Sequence, residues 1–191
     1  MDKKILKTIS FSKASDFNKW LEKNHARSKG IWLRIFKKGS DKKSVDHATG
    51  LDEALCYGWI DGQGDRYDDE SWLQKFTPRR PKSGWSKNNT LHAERLIKAG
   101  KMKPAGLKEV EEAKKDGRWQ KAYESQHSAT LPHDFKMALD KNKKAKVFYE
   151  TLNKANVYAI IYRLHSAKKP ETRERRFKKF MEMLEKGEKF H

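Results

Sequence analysis

The spacing of apolar residues changes along this chain, and the change limits the folds that it can adopt. Residues 31–36 are rich in β-branched and aromatic side chains, which predict a strand, and residues 71–77 would place Trp72, Gln74 and Phe76 on one face of a second strand. Beyond residue 95 the apolar residues recur at helical spacing, as in Phe177, Phe180, Met181 and Leu184. We therefore predict an α+β fold. A small antiparallel or mixed sheet with helices occupies residues 1–95, and an all-helical region, residues 96–191, packs on it.

Residues 51–89 carry the densest set of structural signals. A helix over about 49–57 is predicted to end at Gly58, a glycine suited to a helix C-terminus. Trp59 and Ile60 then indicate a strand, and Asp61-Gly62 is typical of a turn. Residues 71–77 would form the partner strand of a hairpin.

Charge changes sign within this stretch. Residues 61–70 hold five acidic residues and one arginine, whereas residues 72–95 hold six basic residues and one acidic residue. Pro78 and Pro81 bound Arg79 and Arg80, so the backbone that carries the two arginines is stiff. Because the guanidinium fork suits phosphate and carboxylate groups, this loop is a candidate anion site.

The predicted ligand site extends the loop at both ends. A helix that begins near Ser86 would add free N–H groups, and tryptophan rings would offer stacking surfaces. The predicted site residues are Trp59, Asp61, Arg79, Arg80, Lys82, Trp85 and Ser86.

Two structural alternatives stay open at this point. The two arginines can instead pair with the acidic residues of 61–70 and hold the hairpin together. Asp61 can likewise act only as the capping residue of an Asp-Gly turn.

The formal net charge of +18, from 44 basic and 26 acidic residues, favours a phosphate-bearing partner or nucleic acid. The alternative is a lysine-rich surface that only maintains solubility. No RNA-binding or helix-turn-helix signature is present in the sequence. The sequence predicts no oligomeric state.

Metal, cofactor and nucleophile motifs are missing from the sequence. The seven histidines have no metal-ligand spacing, and no phosphate-binding glycine loop is present, so we expect no metal and no cofactor. Cys56 is the single cysteine; it has no nucleophile motif around it, and we predict that it is a buried structural residue. Without an export signal or a membrane-spanning run, we expect a cytoplasmic protein.

Four segments resemble a known family. They are residues 51–62 (LDEALCYGWIDG), 71–86 (SWLQKFTPRRPKSGWS), 102–106 (MKPAG) and 151–156 (TLNKAN). These segments are similar to the bacterial YdeI/OmpD-associated family, described as bacteriocin-protection proteins, over about residues 30–188. The resemblance implies a role in resistance to cationic antimicrobial peptides or to envelope stress, and it implies no catalytic residues.

Three functions follow from these observations. We rank first a stress-protection protein that binds a small anionic, nucleotide-like ligand. The second is a nucleic-acid-binding module. The third is an enzyme in which Asp61 is a general base while Arg79 and Arg80 hold an anionic substrate. We favour binding over catalysis.

Overall fold

Four strands form one mixed sheet in the computed structural model, which describes residues 6–124, 129–167 and 169–190. The strand order is β1-β2-β4-β3; β1 and β2 are parallel and the other neighbours are antiparallel. The strands are β1 (Thr8–Ile9), β2 (Ile31–Phe36), β3 (Trp59–Arg66) and β4 (Ser71–Pro78). The predicted strands 31–36 and 71–77 are thus present, and the α+β class is confirmed.

The predicted turn at Asp61-Gly62 is wrong. Both residues lie inside β3, where the pairing with β4 shifts between Asp61 and Gly64 in a β-bulge. The hairpin turns later, where the Asp68 carboxylate accepts hydrogen bonds from the Glu70 N–H and the Ser71 hydroxyl. The bulge absorbs the irregularity that the Asp-Gly pair introduces, so the strand continues through it.

Two helices pack on the sheet and on each other. Phe17 and Leu21 of the first are fully buried, and Gly50 of the second lies against the side chains of Leu33 and Phe76. The Asp46 carboxylate caps the second helix by accepting the Thr49 N–H at 2.7 Å. These are α1 (Ala14–Asn24) and α2 (His47–Cys56).

Glycines set the path from α2 into the sheet. Gly58 has a φ of +73°, which lets the chain reverse directly into β3. Gly106, in the helix over residues 104–115, lies so close to α2 that an added Cβ would collide with the Cys56 carbonyl oxygen. Cys56 is buried, as predicted, and burial raises the pKa of its thiol to about 12, so it is an unreactive core residue. The helices that follow are α3 (Lys87–Lys98) and α4 (Pro104–Lys115).

The chain forms two compact units. The first contains Met1–Trp85 and Asn89–Lys121, and the second contains Ser86–Asn88 and Ala122–His191. The first unit therefore extends beyond residue 95, the boundary predicted from the sequence.

The second unit is helical and has its own core. Helices α5 (His133–Lys141), α6 (Lys143–Glu150), α7 (Lys154–His165) and α8 (Pro170–Glu185) bury one face each. The core residues are Phe135, Leu139, Ala145, Ile160, Leu164, Phe180, Met183 and Leu184. None of the helices in the described ranges is long and apolar enough to cross a membrane.

Candidate functional site

The predicted site residues lie in different surroundings. Trp59 and Asp61 belong to β3, while Arg79 to Trp85 form the loop after β4. Ser86 belongs to the second unit, where it forms an isolated parallel bridge with Tyr123.

Trp59 is a core residue. Its ring is 1% exposed and lies edge-on to Trp20 at a centroid distance of 5.8 Å. Its indole Nε1 donates to the His25 carbonyl oxygen at 3.1 Å. Since the polar atom is satisfied and the ring is covered, Trp59 offers no stacking surface to a ligand.

Asp61 pairs with a residue that the sequence analysis did not single out. Its Oδ2 lies 3.0 Å from Nε2 of His47, the first residue of α2, and both side chains are partly exposed. The ring centroids of Trp72 and Phe76 lie 6.1 and 6.4 Å from the centroid of the His47 imidazole. Fourteen residues separate the pair in sequence, and no local pattern indicates that they meet.

Arg79 and Trp85 do come together, but inside the protein. Arg79 is 7% exposed, and its guanidinium lies 3.7 Å from the centroid of the buried Trp85 ring. Trp85 in turn lies 4.9 Å from Trp119, over which Lys114 places its ammonium group at 5.3 Å. We call these four residues the cation–aromatic stack. Arg79 also donates to the Gly84 carbonyl oxygen at 2.6 Å, so the stack anchors the loop.

The ionisable residues around the stack support the same loop. Arg118 donates to the Ser83 carbonyl oxygen at 2.9 Å and to the Asp116 carboxylate at 2.7 Å, and this hydrogen bond lowers the pKa of Asp116. Burial and the neighbouring Glu112 raise the pKa of Glu109, against the opposing effects of Arg79 and Arg118. Glu109 is therefore a carboxyl group held in a poorly solvated position.

The tip of the loop, which we call the 80–83 turn, faces solvent. The Ser83 N–H donates to the Arg80 carbonyl oxygen at 3.0 Å, Pro81 is the second residue of the turn, and Lys82 has a φ of +60°. Proline at the second position and a positive φ at the third define a type II β-turn. Arg80 and Lys82 are both exposed.

Acidic residues of the turn between β3 and β4 form ion pairs with arginines other than Arg79 and Arg80. Asp68 pairs with Arg34 and Asp69 pairs with Arg66. Within the described residues, the Arg80 side chain makes no hydrogen bond or ion pair, so the internal pairing considered for the two arginines does not involve Arg80. The described part of the chain also has no group of three or more His, Cys, Asp or Glu side chains that could hold a metal ion.

Comparison with known families divides the chain in a similar way. Residues 9–109, more than half of the 191-residue chain, match a domain of unknown function (DUF8412). Residues 128–187 match the family described as Bacteriocin-protection, YdeI or OmpD-Associated. The chain belongs to the DUF8412 family and carries a YdeI/OmpD-associated domain. No curated protein and no solved structure matches it.

The two matches redistribute the segments that carried the resemblance. Residues 151–156 lie in the YdeI/OmpD-associated domain, which confirms the family. Residues 51–62, 71–86 and 102–106 lie in the DUF8412 domain instead. The His47–Asp61 pair, Arg79, Trp85 and the 80–83 turn thus belong to the DUF8412 domain, while the bacteriocin-protection description applies to the other domain.

Proposed function

We propose that this YdeI/OmpD-associated protein binds the phosphate backbone of nucleic acid through the 80–83 turn of its DUF8412 domain. The observation that carries the proposal is the backbone conformation of Lys82. A positive φ costs an ordinary L-residue about 1–2 kcal/mol, and type II turns therefore usually place glycine or asparagine at this position. Lysine at the tip accepts that strain, which supports a role for its side chain outside folding.

Contacts to the backbone of the 80–83 turn fix the positions from which Arg80 and Lys82 project. Pro81 restricts one backbone torsion of the turn, and Arg118 holds the Ser83 carbonyl oxygen. Arg79 holds the Gly84 carbonyl oxygen from inside the stack. Because the turn is already ordered, binding would lose little backbone entropy, and Arg80 and Lys82 would meet phosphates in a set geometry.

The exposure of the turn favours a polyanion over the small enclosed ligand that the sequence suggested. The rings of Trp59 and Trp85 are 1% exposed, and Asp61 pairs with His47, so these three residues do not wall a ligand against the arginines. A projecting turn with two cations suits a surface rich in phosphates, and the net charge of +18 adds long-range attraction.

The proposal is tested by the salt dependence of binding. We would measure the anisotropy of a labelled mixed-sequence DNA duplex with the wild-type protein and with the Arg80→Ala/Lys82→Gly double variant. Each lost phosphate contact should lower the slope of log K against log salt concentration by about 0.9. A Lys143→Ala/Lys144→Ala variant removes the same charge from exposed positions of α6 and is the matched control.

The outcomes separate specific from general attraction. The 80–83 variant should lose both affinity and slope, while the control keeps most of each. Equal losses in both variants would mean that only net charge matters, and unchanged binding in the 80–83 variant would reject the turn as the site. Binding of a mononucleotide in place of duplex would restore the small-ligand alternative.

The family description supports a second, cellular proposal, which is protection against bacteriocins or cationic peptides from within the cytoplasm. A strain without the gene should lose viability in the presence of a cationic peptide, and plasmid-borne wild-type protein should restore it. Complementation with the Arg80→Ala/Lys82→Gly variant would show whether protection needs the turn. Cell fractionation tests the cytoplasmic location.

A further inference from the structure

The described residues of the first unit include two His–Asp pairs, and their surroundings differ. His92 Nδ1 lies 2.7 Å from the Asp52 carboxylate, which also accepts two hydrogen bonds from Arg95 at 2.6 and 2.7 Å. Asp52 is thus satisfied by a permanent cation, and hydrogen bonds from Arg95 and His92 outweigh the effect of burial and lower its pKa. This pair is a structural ion network.

Among the residues that the structure describes, no lysine or arginine pairs with Asp61. His47 Nε2 lies 3.0 Å from Asp61 Oδ2, and no hydrogen bond joins Nδ1 to any residue in the described ranges. Because a carboxylate can only accept, the neutral form of this imidazole carries its proton on Nε2 and keeps a lone pair on Nδ1. With 39% of its side chain exposed, His47 presents a proton acceptor that solvent can reach.

Both members of the pair are held by regular structure. His47 is the first residue of α2, directly after the Asp46 that caps this helix. Asp61 immediately precedes the bulge of β3, a feature that often turns a side chain toward a site. The carboxylate therefore orients the imidazole in the way that the aspartate of a catalytic triad does.

Gly64 leaves an open surface beside the pair. Its φ is not positive, and an added Cβ would lie 3.5 Å from the Trp72 ring, an ordinary contact distance. Neither backbone conformation nor packing therefore requires glycine here, although glycine weakens a strand by about 0.5–1 kcal/mol. Such a residue is typical of places where a ligand approaches the backbone closely. Glycine here leaves part of the half-buried Trp72 ring without a covering side chain, and the centroid of that ring lies 6.1 Å from the His47 imidazole.

We propose that the His47–Asp61 pair is a general-base site that hydrolyses an ester whose ring stacks on Trp72. His47 Nδ1 takes a proton from water while the water oxygen forms a bond to the ester carbonyl carbon. The bond from that carbon to the leaving oxygen then breaks, and the imidazolium returns its proton to the leaving group. The products are a carboxylic acid and an alcohol, and no oxidant, metal or cofactor enters the balance. The site is independent of the 80–83 turn.

The test uses p-nitrophenyl acetate, a ring-bearing ester, under multiple-turnover conditions, so that single acylation of surface lysines does not count. A general base contributes about 10²–10⁴-fold, and we expect His47→Gln to lose at least tenfold in kcat with this simple ester. His92→Gln is the matched control and should keep the wild-type rate. Asp61 is a positioning residue, so Asp61→Asn should lower kcat and leave KM unchanged.

The Trp72 surface has its own readout. Gly64→Val should cover the ring, raise KM several-fold and change kcat little. Near-ultraviolet circular dichroism confirms that each variant is folded. A wild-type rate in His47→Gln, an equal loss in His92→Gln, or no turnover by the wild-type protein would overturn the proposal.

Discussion

Arg79 and Arg80 are adjacent in sequence, yet they belong to opposite kinds of structure. Arg79 is 7% exposed and lies in the cation–aromatic stack, whereas Arg80 is exposed and its side chain makes no hydrogen bond or ion pair with a described residue. The stack supports the loop, and the 80–83 turn is what the loop presents. A single basic, aromatic segment thus contains residues that hold the loop in place and residues that are available to a ligand. The first group should control stability and the second should control binding.

The largest effect is expected from Trp85→Ala. Removal of a ring that is 1% exposed and stacked on both Arg79 and Trp119 should lower the free energy of unfolding by about 3–5 kcal/mol. Urea denaturation measures the change. Leu91→Ala, on a side chain that is 64% exposed, is the control and should stay within about 0.5 kcal/mol of the wild type. A loss below about 1 kcal/mol for Trp85→Ala would mean that the stack is not structural.

The next effect comes from a matched pair of conservative changes, Arg79→Lys and Arg80→Lys. Lysine keeps the charge but loses the planar group that lies on Trp85, so Arg79→Lys should cost about 1–2 kcal/mol. Arg80→Lys should cost less than about 0.5 kcal/mol because its side chain is exposed. Equal costs in urea denaturation would remove the distinction between the two arginines.

Glu109 tests the electrostatics beneath the stack through pH. Burial and the neighbouring Glu112 raise the pKa of Glu109 in the folded protein above its ordinary value of 4.5. The protonated carboxyl group therefore stabilises the fold below about pH 4.5, and this stabilisation is lost as the pH rises through the folded pKa. Glu109→Gln should therefore raise the free energy of unfolding at neutral pH by about 0.5–1 kcal/mol. The difference should vanish in acid. Destabilisation at neutral pH would instead identify Glu109 as an ion-pair partner of Arg79 or Arg118.

The smallest effect is expected from Lys82→Gly, which, like Glu109→Gln, should stabilise the fold. Relief of the strained φ is worth about 1–2 kcal/mol, but the added freedom of glycine in the unfolded chain removes about 0.4–1 kcal/mol of that gain. The free energy of unfolding of the variant should therefore be about 0.5 kcal/mol higher than that of the wild type, while its affinity for duplex DNA should be lower. Lys82→Asn, which also tolerates a positive φ, is the companion variant. A clear loss of stability in both would show that the lysine supports the fold.

Much of the fold could be predicted because it depends on short-range patterns. The β-branched and aromatic segment 31–36 corresponds to β2, and the predicted strand 71–77 corresponds to β4. The helical spacing of Phe177, Phe180, Met181 and Leu184 corresponds to α8, in which Phe180 and Leu184 are buried. The turn at Asp61-Gly62 failed because pairing with β4 outweighs the local preference of two residues.

The candidate sites could also be predicted only where they depend on residues that are close in sequence. Composition and proline spacing alone identified a stiff basic loop at residues 78–82, since these properties are local to the chain. The inward position of Arg79 against Trp85 and the contact of Asp61 with His47 could not be predicted, because both depend on which elements pack together. Sequence determined which chemical groups are present and how stiffly the chain holds them. Packing determined which of those groups remain available to a ligand.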